Sequence, residues 1–468
     1  MSDLHVCMVA GEAAPFAKVG GLGDVIGALP RALEKLGVRV TVVIPRYRTI
    51  DLPKFGFEPY SQDVHRGKLP GSNVDVFLIG NDRFFDREGI YLDAATGKDY
   101  PDQADRWIFF QRAVLELFAN SPDRPDIFHC HDHQTGLIPA YLRRMYRDPF
   151  PNTRSVFTIH NLGYQGLFPR EVMLRTGFDD AEFYPTSPFE FYGMLNFMKV
   201  GITYAGLITT VSETYAREIQ ESKEFGYGLE GVLRERSHDL IGILNGIDDE
   251  LWNPATDSMI PARYSVRDLT GKTEAKKALL QKFELDGSHL DWPLIAMISR
   301  IDVQKGFDLV VSILDYLLSK DLYFVLLGSG NKETESFLRT IIERHPGKAG
   351  IRFEFDNGSA HLVEAGADIF LMPSKYEPCG LNQMYSLRYG TVPIVRLTGG
   401  LADTVNESNG FCFVDYDAEQ FKAAVDRALA LWPERDLWRH LMLNGMREDF
   451  SWNHSAKKYV EAYATVFT

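Results

Sequence analysis

Two glycine-rich turns, nearly at opposite ends of the chain, could each bind an anion. The first lies in AKVGGLGDV, residues 17–25, and the second is GGLADTV, residues 399–405. Glycines let the backbone approach a ligand closely, and a helix that begins at such a turn presents free N–H groups and the positive end of its dipole. Lys18 would add a full positive charge. Such turns also serve simply to pack a helix on a sheet. An acidic residue in the first helical turn, here Asp24, interacts favourably with the helix dipole even without a ligand.

Two cations and a carboxylate follow apolar runs in the second half of the chain. Arg300 and Lys305 lie in SRIDVQKGF, and two neighbouring cations suit a diphosphate better than one. The alternative is that both are solvated surface residues. Glu377 precedes a Cys-Gly-Leu turn, residues 379–381, at a predicted helix start. A carboxylate there could serve a sugar or a developing cation, or it could cap the helix.

Histidines cluster near two strand ends in the first half. In FHCHDHQTGL, alternation along a strand would place His129, His131 and His133 on one face, an arrangement that a metal site could use. The run extends past the strand end, however, and the sequence offers no matched carboxylate or cysteine cluster. We therefore predict a polar strand terminus and no metal. His160 ends the next strand, in FTIHNLGYQG, where it either faces a ligand or serves as a structural histidine.

Alternating strands and helices must position these residues. Strands buried on both faces are indicated by HVCMVA, VRVTVVIP, VDVFLIG, DIFHCH, RSVFTIH and GLITTVS. Helix periodicity is present in VIGALPRALEKLG and QADRWIFFQRAVLELFANS. The pattern pauses at residues 243–264, which are rich in turn residues, and restarts with PLIAMISR, YFVLLGSG, IRFEF, DIFLMPS, TVPIVRL and GFCFV. The sequence predicts an α/β protein with two Rossmann-like, doubly wound parallel-sheet domains, residues 1–244 and 245–450, facing a cleft.

Composition and charge exclude several classes of protein. The 468 residues are 45% hydrophobic and 24% charged, as in ordinary globular domains. A net charge of −14 argues against broad binding to nucleic acid or to an anionic membrane. No apolar run is long enough to span a membrane, and the N-terminal residues lack the features of a signal peptide, so we predict a cytoplasmic location. The four scattered cysteines are predicted to be free thiols.

Together the motifs resemble the bacterial glycogen synthase and plant starch synthase family over essentially the whole chain. They occur in the family's order: KVGGLGDV, HDHQTGL, TIHNLGYQG, EFYGMLNFMKVGI, TVSETYAREI, PSKYEPCGLNQMYSLRYGT and TGGLADTV. The resemblance implies a GT-B glycosyltransferase that moves glucose from a nucleotide diphosphate sugar, expected to be ADP-glucose, onto the non-reducing 4-OH of an α-1,4-glucan, with retention. It implies neither a metal nor a redox cofactor. Residues 451–468 resemble the family's last helix, which crosses back onto the first domain.

The resemblance also implies roles for individual residues. The catalytic group consists of Asp24, Asp132, His160 and Glu377. Residues expected to bind the sugar or acceptor are Tyr91, Asn161, Asn196 and Cys379. Residues expected to bind the donor are Lys18, Gly21, Arg300, Lys305, Phe355, Gly380, Leu381, Thr398 and Gly399, with Phe355 against the base. By analogy with retaining hydrolases Glu377 could be a nucleophile; we favour a role in binding sugar hydroxyls.

Two rival functions remain at this point. Another GT-B transferase, with a small acceptor, would leave no need for the aromatic segment at residues 183–197, whose rings could otherwise pack in the core or stack on sugars. A catalytically silent glucan-binding protein should have lost one of five residues that are all present, namely Lys18, His160, Arg300, Lys305 and Glu377. Ile301 and Asp302, where the family often has a Leu-Thr pair, and the unusual segment FDNGSAH bear on the choice of nucleotide.

Overall fold

The chain divides into two compact units. A computed structural model describes residues 4–354 and 356–467, so Phe355, predicted to meet the nucleotide base, lies outside the described residues. Among the described residues, the first unit runs to residue 246 and resumes at residue 452, and the second lies between residues 247 and 451.

The first unit is built on a large, mostly parallel sheet. The strands of this unit are β1 (His5–Val9), β2 (Arg39–Pro45), β3 (Glu58–Ser61), β4 (Val64–Lys68), β5 (Asp75–Ile79), β6 (Ile127–His131), β7 (Arg154–Ile159), β8 (Leu167–Pro169), β9 (Glu190–Phe191), β10 (Met194–Asn196), β11 (Leu207–Thr210) and β12 (Leu240–Gly242). The order in the large sheet is β12-β11-β7-β6-β1-β2-β5-β4-β3. Neighbouring strands from β12 to β5 are parallel. The strand order reverses between β1 and β6, and loops that leave such a switch point diverge around a crevice.

Helices cover the buried strands of this sheet. They are α1 (Gly21–Lys35), α2 (Asp82–Phe85), α3 (Gln103–Ala119), α4 (Ile138–Arg144), α5 (Met173–Thr176), α6 (Phe197–Tyr204), α7 (Glu213–Glu221), α8 (Lys223–Gly226) and α9 (Glu230–Glu235). All residues of β1 and β6 are buried, as expected for parallel strands covered on both faces. The charged residues of the other parallel strands lie at strand ends, as Arg39, Asp75 and Arg154 do.

The second unit has a parallel sheet in the dinucleotide-binding strand order. Its elements are α10 (Thr270–Lys282), β13 (Leu294–Ile298), α11 (Phe307–Leu318), β14 (Tyr323–Leu327), α12 (Lys332–Arg344), β15 (Ala349–Arg352), α13 (Asn357–Gly366), β16 (Ile369–Met372), α14 (Asn382–Arg388), β17 (Val392–Arg396), α15 (Gly399–Thr404), β18 (Phe411–Phe413), α16 (Ala418–Leu431) and α17 (Arg435–Arg447). The order β15-β14-β13-β16-β17-β18 corresponds to 3-2-1-4-5-6. Its switch point lies between β13 and β16.

The last helix, α18 (Trp452–Thr465), belongs to the first unit, where it packs on α1. Trp452 is buried against Gly246, and the Ser455 hydroxyl donates to the Leu244 carbonyl at 2.6 Å. Among the described residues no helix is long and apolar enough to cross a membrane. All four cysteines lie in the described chain, and none of them forms a disulfide bond.

Three elements differ from the pattern expected from the sequence. The strand predicted in IRFEF begins earlier, at Ala349, and ends at Arg352, because pairing with β14 starts where the Phe324 N–H donates to the Lys348 carbonyl. An antiparallel hairpin, β3 and β4, extends the first sheet beyond β5. The aromatic segment contributes to a separate antiparallel sheet of order β8-β10-β9. Short strands with exposed residues lack the continuous apolar run by which buried strands are recognised.

The second glycine turn packs against the backbone that carries Glu377. Gly399 has φ +46°, and a Cβ atom there would lie 1.9 Å from the Glu377 carbonyl oxygen. A Cβ at Gly400 would lie 2.1 Å from the Cys379 carbonyl oxygen. The Gly400 N–H donates to the carbonyls of Glu377 and Pro378, both at 3.2 Å. Close backbone approach therefore requires glycine here, and helix α15 begins directly at this turn, as predicted.

We expect Gly399→Ala to lower Tm by roughly 5 °C or more, because the added methyl group must displace the Glu377 backbone and the residue must keep a left-handed φ. Gly287→Ala, in the same unit, is the matched control, because no described atom lies within 4 Å of a Cβ added there. Scanning calorimetry of both variants checks this. Equal melting of Gly399→Ala and the parent would contradict the close packing.

Candidate active site

A partly buried ion pair lies at the switch point of the second sheet. Lys305 Nζ is 2.5 Å from Glu377 Oε2, and the two side chains are 20% and 8% exposed. The Ser374 hydroxyl donates to the same oxygen at 3.1 Å. In the described chain these two groups, and not the N-terminus of α14, hold the Glu377 carboxylate, so the helix-capping alternative is not what the structure shows. Desolvation offsets most of the attraction in a buried pair, and such a pair in a cavity is a functional-site candidate.

A cavity of about 160 Å³ opens beside this pair. Its lining includes Arg300, Lys305, Glu377, Gly380 and Leu381. This volume is below the usual range for a whole nucleotide-sized ligand, so it suits one phosphate or part of a sugar. Arg300 is largely exposed, with its guanidinium 3.3 Å from the Asp302 carboxylate, and it can therefore turn towards an anion.

Asp302 has a structural role that the sequence did not reveal. Its side chain accepts the Lys305 N–H at 3.1 Å and so caps the 3-10 turn Val303–Lys305. That bond holds the turn from which Lys305 reaches Glu377. Asp302 is one of the two residues that depart from the family's Leu-Thr pair. It therefore orients Lys305, a residue predicted to bind the donor.

The remaining donor-side residues lie at two helix starts of the second unit. Leu381 immediately precedes α14, and Thr398 immediately precedes α15. Gly380 has φ +72°, and a Cβ there would lie 2.5 Å from the Gln383 amide oxygen. Cys379 is buried, and its carbonyl oxygen accepts from the Gln383 amide at 3.1 Å. The residues from Glu377 to Leu381 therefore form one fixed segment beside the cavity and the Gly399 turn.

In the first unit, a buried carboxylate that the sequence analysis missed holds the first glycine turn. Glu12 is buried, and its carboxylate accepts the backbone N–H groups of Val19 and Gly20, the latter at 3.1 Å. Tyr91 also hydrogen-bonds to it. Burial raises the pKa of Glu12, and these bonds partly oppose the shift. The N–H groups of Val19 and Gly20 are thus taken by the protein itself, and that of Gly23 donates to the Gly20 carbonyl at 3.2 Å, which leaves those of Gly21 and Leu22 at the start of α1 for a ligand.

Lys18 and Asp24 form an ion pair across this turn. Lys18 Nζ lies 2.6 Å from Asp24 Oδ1, and both side chains are partly exposed. An exposed pair of this kind contributes about 0–1 kcal/mol, so it orients the two groups more than it stabilises the fold. Asp24 lies in the first turn of α1, where a negative charge is also favourable to the dipole.

His131 and His160 are hydrogen-bonded to each other across neighbouring strands. His131 Nδ1 lies 2.9 Å from His160 Nε2. His129 lies beneath them, with ring nitrogens 2.8 Å from the Tyr463 hydroxyl and 2.6 Å from the Thr158 hydroxyl. Burial lowers the pKa values of His129 and His160 to about 3 and that of His131 well below its ordinary value. These three rings are neutral at physiological pH.

His133 is separated from the strand histidines. It begins the 3-10 helix His133–Thr135, and its Nδ1 lies 3.0 Å from the Tyr164 carbonyl oxygen. His129 and His131 share a strand face, with ring centroids 4.1 Å apart, whereas the alternation ends at His131. Within the described ranges no group of three or more His, Cys, Asp or Glu side chains is arranged to hold a metal ion.

Asp132 is both strained and electrostatically perturbed. It has φ +56° and ψ −176°, a region adopted almost exclusively by glycine that costs another residue about 1–3 kcal/mol, and such residues are concentrated at functional sites. Its Oδ1 accepts the His160 N–H at 2.8 Å, and the Asn161 N–H also donates to the carboxylate. Burial raises its pKa to about 7 against these two bonds. Asn161 accepts the Gly163 N–H at 2.9 Å and so fixes the loop after His160.

Two predicted acceptor residues have protein partners of their own. Asn196 is fully buried, accepts the Lys199 N–H at 2.9 Å as the cap of α6, and donates to Gln165 Oε1 at 2.7 Å. Its observed role is structural, and contact with the acceptor stays a prediction. Tyr91 is half-buried beside Glu12, with its ring centroid 6.2 Å from that of Trp107. Asn245, which sequence reasoning missed, has a buried amide oxygen with no partner among the described residues, a feature that ligands often satisfy.

We expect the protein to lose stability as the pH falls from about 6.5 towards 4. Burial lowers the pKa of His133 from 6.5 to about 4 in the folded state. In this window the unfolded chain binds more protons, so stability falls with falling pH by up to about 1.4 kcal/mol per pH unit for each such histidine. Asp132 has the opposite effect below about pH 7: its pKa is raised in the folded state, so its protonation stabilises the fold as the pH falls.

His133→Gln should reduce the difference in Tm between pH 7 and pH 5, because it removes one of these histidines. His454→Gln, at an exposed position of α18, is the control and should keep the parent's difference. Differential scanning fluorimetry across this range measures both. An unchanged pH dependence in His133→Gln would show that His133 is not neutral in the fold.

Comparisons with known proteins identify the family. The model of the starch synthase catalytic domain matches residues 5–235, and that of glycosyl transferases group 1 matches residues 283–440. A glycogen synthase from Koribacter versatilis is 45% identical over 98% of both chains, and one from Thermotoga maritima is 46% identical over the same share.

Solved structures give the same result at the level of the fold. The catalytic domain of starch synthase IV from Arabidopsis thaliana, bound to ADP and acarbose, matches with a TM-score of 0.90 and 33% identity over 99% of both chains. A sucrose-phosphate synthase from Thermosynechococcus elongatus shares the fold, with a TM-score of 0.61 at 17% identity. The predicted α/β fold with two parallel sheets is confirmed. The chain belongs to the glycogen synthase and starch synthase family of GT-B glycosyltransferases.

Proposed function

We propose that the protein is a glycogen synthase that transfers glucose from ADP-glucose to the non-reducing 4-OH of an α-1,4-glucan, with retention at the anomeric carbon. The observation that carries the proposal is the Lys305–Glu377 pair beside a small cavity, with Arg300 at its mouth, in a chain whose full-length relatives are glycogen synthases. The related starch synthase with bound ADP and acarbose supports a nucleoside diphosphate donor and a glucan-like acceptor.

In the second unit we assign Arg300 and Lys305 to the diphosphate. When the nucleoside diphosphate leaves, negative charge grows on its phosphates while positive charge grows on the sugar ring. The half-buried Lys305 ammonium and the exposed Arg300 guanidinium stabilise the leaving group without a general acid. The backbone of Gly380, Leu381 and Gly399, together with Thr398, lies near the same segment and completes the donor side of the proposal.

The surroundings of Glu377 favour a role in binding sugar hydroxyls. One carboxylate oxygen already holds the Lys305 ammonium and the Ser374 hydroxyl, which reduces its strength as a nucleophile. The other oxygen can accept hydroxyl groups of the transferred glucose. The acceptor hydroxyl would then enter on the face that the diphosphate leaves, which preserves the anomeric configuration.

In the first unit we assign Asp132, His160 and Asn161 to the transferred glucose. His160 is neutral and uses Nε2 for His131, so Nδ1 is the nitrogen that can meet a sugar hydroxyl. Asp132 has a pKa near neutrality and, when ionised, can stabilise the developing oxocarbenium charge. Lys18 and Asp24 supply charge at the Gly21 turn, and Tyr91 supports that turn through Glu12.

The rival functions are less well supported. A catalytically silent relative would not be expected to keep the Lys305–Glu377 pair assembled beside a cavity together with a strained Asp132. The similarity to sucrose-phosphate synthase, at 17% identity, is a similarity of fold and does not support a small acceptor for this chain.

Arg300→Ala should lower kcat/KM for ADP-glucose by at least about 100-fold with little change in Tm, because it removes a cation from the leaving diphosphate and leaves no buried charge behind. Arg344→Ala is the matched control, since Arg344 is an exposed arginine paired with Asp315 at 3.0 Å in the same unit. Nucleotide release with glycogen as acceptor measures both variants.

The same assay tests the function itself. ADP release that depends on glycogen supports the proposal, and a higher kcat/KM for UDP-glucose would contradict the assigned donor. Activity abolished by EDTA and restored by Mg²⁺ would contradict the expected independence from metal. Failure of either nucleotide sugar to turn over with glycogen would remove the proposed function.

His160→Ala should lose about 100-fold or more in turnover while melting within a few degrees of the parent. Its ring is assigned to the sugar, and in the fold that ring is hydrogen-bonded to His131. Activity and calorimetry on the same preparation measure the two effects. A large loss of Tm would instead identify His160 as a structural histidine.

A further inference from the structure

A strained and exposed tyrosine lies at the tip of the hairpin between β9 and β10. Tyr192 has φ +49°, and its side chain is 79% exposed, the highest value for a large apolar side chain among the described residues. Gly193 follows with φ +82°. Two left-handed residues make a type I′ turn, in which Asn or Asp is preferred at the first position. The turn by itself therefore does not explain a bulky aromatic ring at this place.

The segment that presents this ring is rigidly held. The Glu190 carboxylate accepts the Gly193 N–H at 2.7 Å through one oxygen and the Thr186 N–H at 3.1 Å through the other. The buried Lys199 ammonium donates to the carbonyls of Ser187 and Glu190 at 2.8 and 2.7 Å. A second exposed tyrosine, Tyr184, immediately precedes this tied segment and is 56% exposed. The rings are thus displayed on a fixed backbone, which limits the entropy lost when a ligand binds.

The hairpin is continuous with the loop that carries the sugar-side residues. Strand β10 pairs with β8, which closely follows His160 and Asn161 in the chain. The Phe197 N–H donates to the Gly166 carbonyl at 3.1 Å, and the Asn196 amide donates to Gln165 Oε1 at 2.7 Å. The loop after His160 and the tyrosine hairpin therefore belong to one hydrogen-bonded layer of the first unit.

We propose that Tyr192, together with Tyr184, is a binding platform for the acceptor glucan, outside the residues assigned to the transferred glucose. Exposed tyrosine rings stack on the apolar faces of sugars while their hydroxyl groups stay in water. A backbone strain that is maintained to present an aromatic ring to solvent indicates a function for that ring. A polymeric acceptor needs contacts beyond its reacting end, and a platform in the same hydrogen-bonded layer as the sugar-side loop supplies them. The inference rests on the proposed function for the identity of the ligand.

Substitutions at Tyr192 separate binding from folding. Tyr192→Asn places the preferred residue in the turn, so the hairpin should be kept and Tm should not fall. In native gels that contain glycogen, Tyr192→Asn and Tyr192→Ala should raise the dissociation constant for glycogen by about three- to ten-fold. Tyr192→Phe keeps the ring and should bind like the parent. Tyr60→Ala, at an exposed tyrosine on strand β3, is the matched control and should also bind like the parent.

Kinetics provide a second measurement. KM for glycogen should rise by the same factor in Tyr192→Asn, with KM for ADP-glucose and kcat unchanged. Unchanged glycogen binding in Tyr192→Asn would overturn the proposal. A change in molar mass by light scattering between the parent and this variant would also overturn it, because Tyr192 would then belong to an interface between copies.

The gel measurement does not require turnover, so the two proposals can fail separately. If the parent is retarded by glycogen through Tyr192 but transfers no glucose, the platform stands and the proposed function fails. If the parent transfers glucose and Tyr192→Asn is retarded like the parent, the function stands and the platform fails.

Discussion

Burial on both faces of a parallel sheet is the constraint on which the rest of this structure depends. It excludes charge from the strands, so the chemically useful groups collect at the carboxyl ends of strands and in the loops that follow. There each charge must find a partner, because an isolated buried charge is very costly. In both units the partner is another group of the protein, and that pairing sets the geometry which a substrate would meet.

The two glycine turns show this in different ways. At the first turn, the Glu12 carboxylate occupies the N–H groups of Val19 and Gly20 and leaves the beginning of α1 open. At the second turn, Gly399 and Gly400 allow the chain to pack on the backbone of residues 377–379. One turn is therefore shaped by a side-chain anion and the other by backbone contact. Each fixes a loop that would otherwise move, and preorganised dipoles and charges are the larger part of what such sites contribute to catalysis.

The first unit also keeps a row of neutral imidazoles that ends at His160, one of its candidate sugar-side residues. His129, His131 and His160 are linked by hydrogen bonds and ring contacts, and the Tyr463 hydroxyl on α18 meets the innermost ring. Because burial lowers their pKa values, they act as fixed hydrogen-bonding groups and not as charges. The last helix, α18, therefore contacts this row of histidines through Tyr463 and helps to hold it in place.

Local pattern in the sequence was enough to indicate the buried strands, the two successive sheets and the helices that begin at both glycine turns, because burial and periodicity are encoded within a few residues. It also brought out Arg300, Lys305, Glu377 and His160 as polar residues that follow strands. Tertiary structure alone decided which of these groups meet. Lys305 and Glu377 are 72 residues apart in the chain and become neighbours only because β13 lies beside β16. The same holds for Glu12 at the first turn, for the capping role of Asn196 and for the shifted start of β15, since each depends on contacts between strands and loops that no local pattern records.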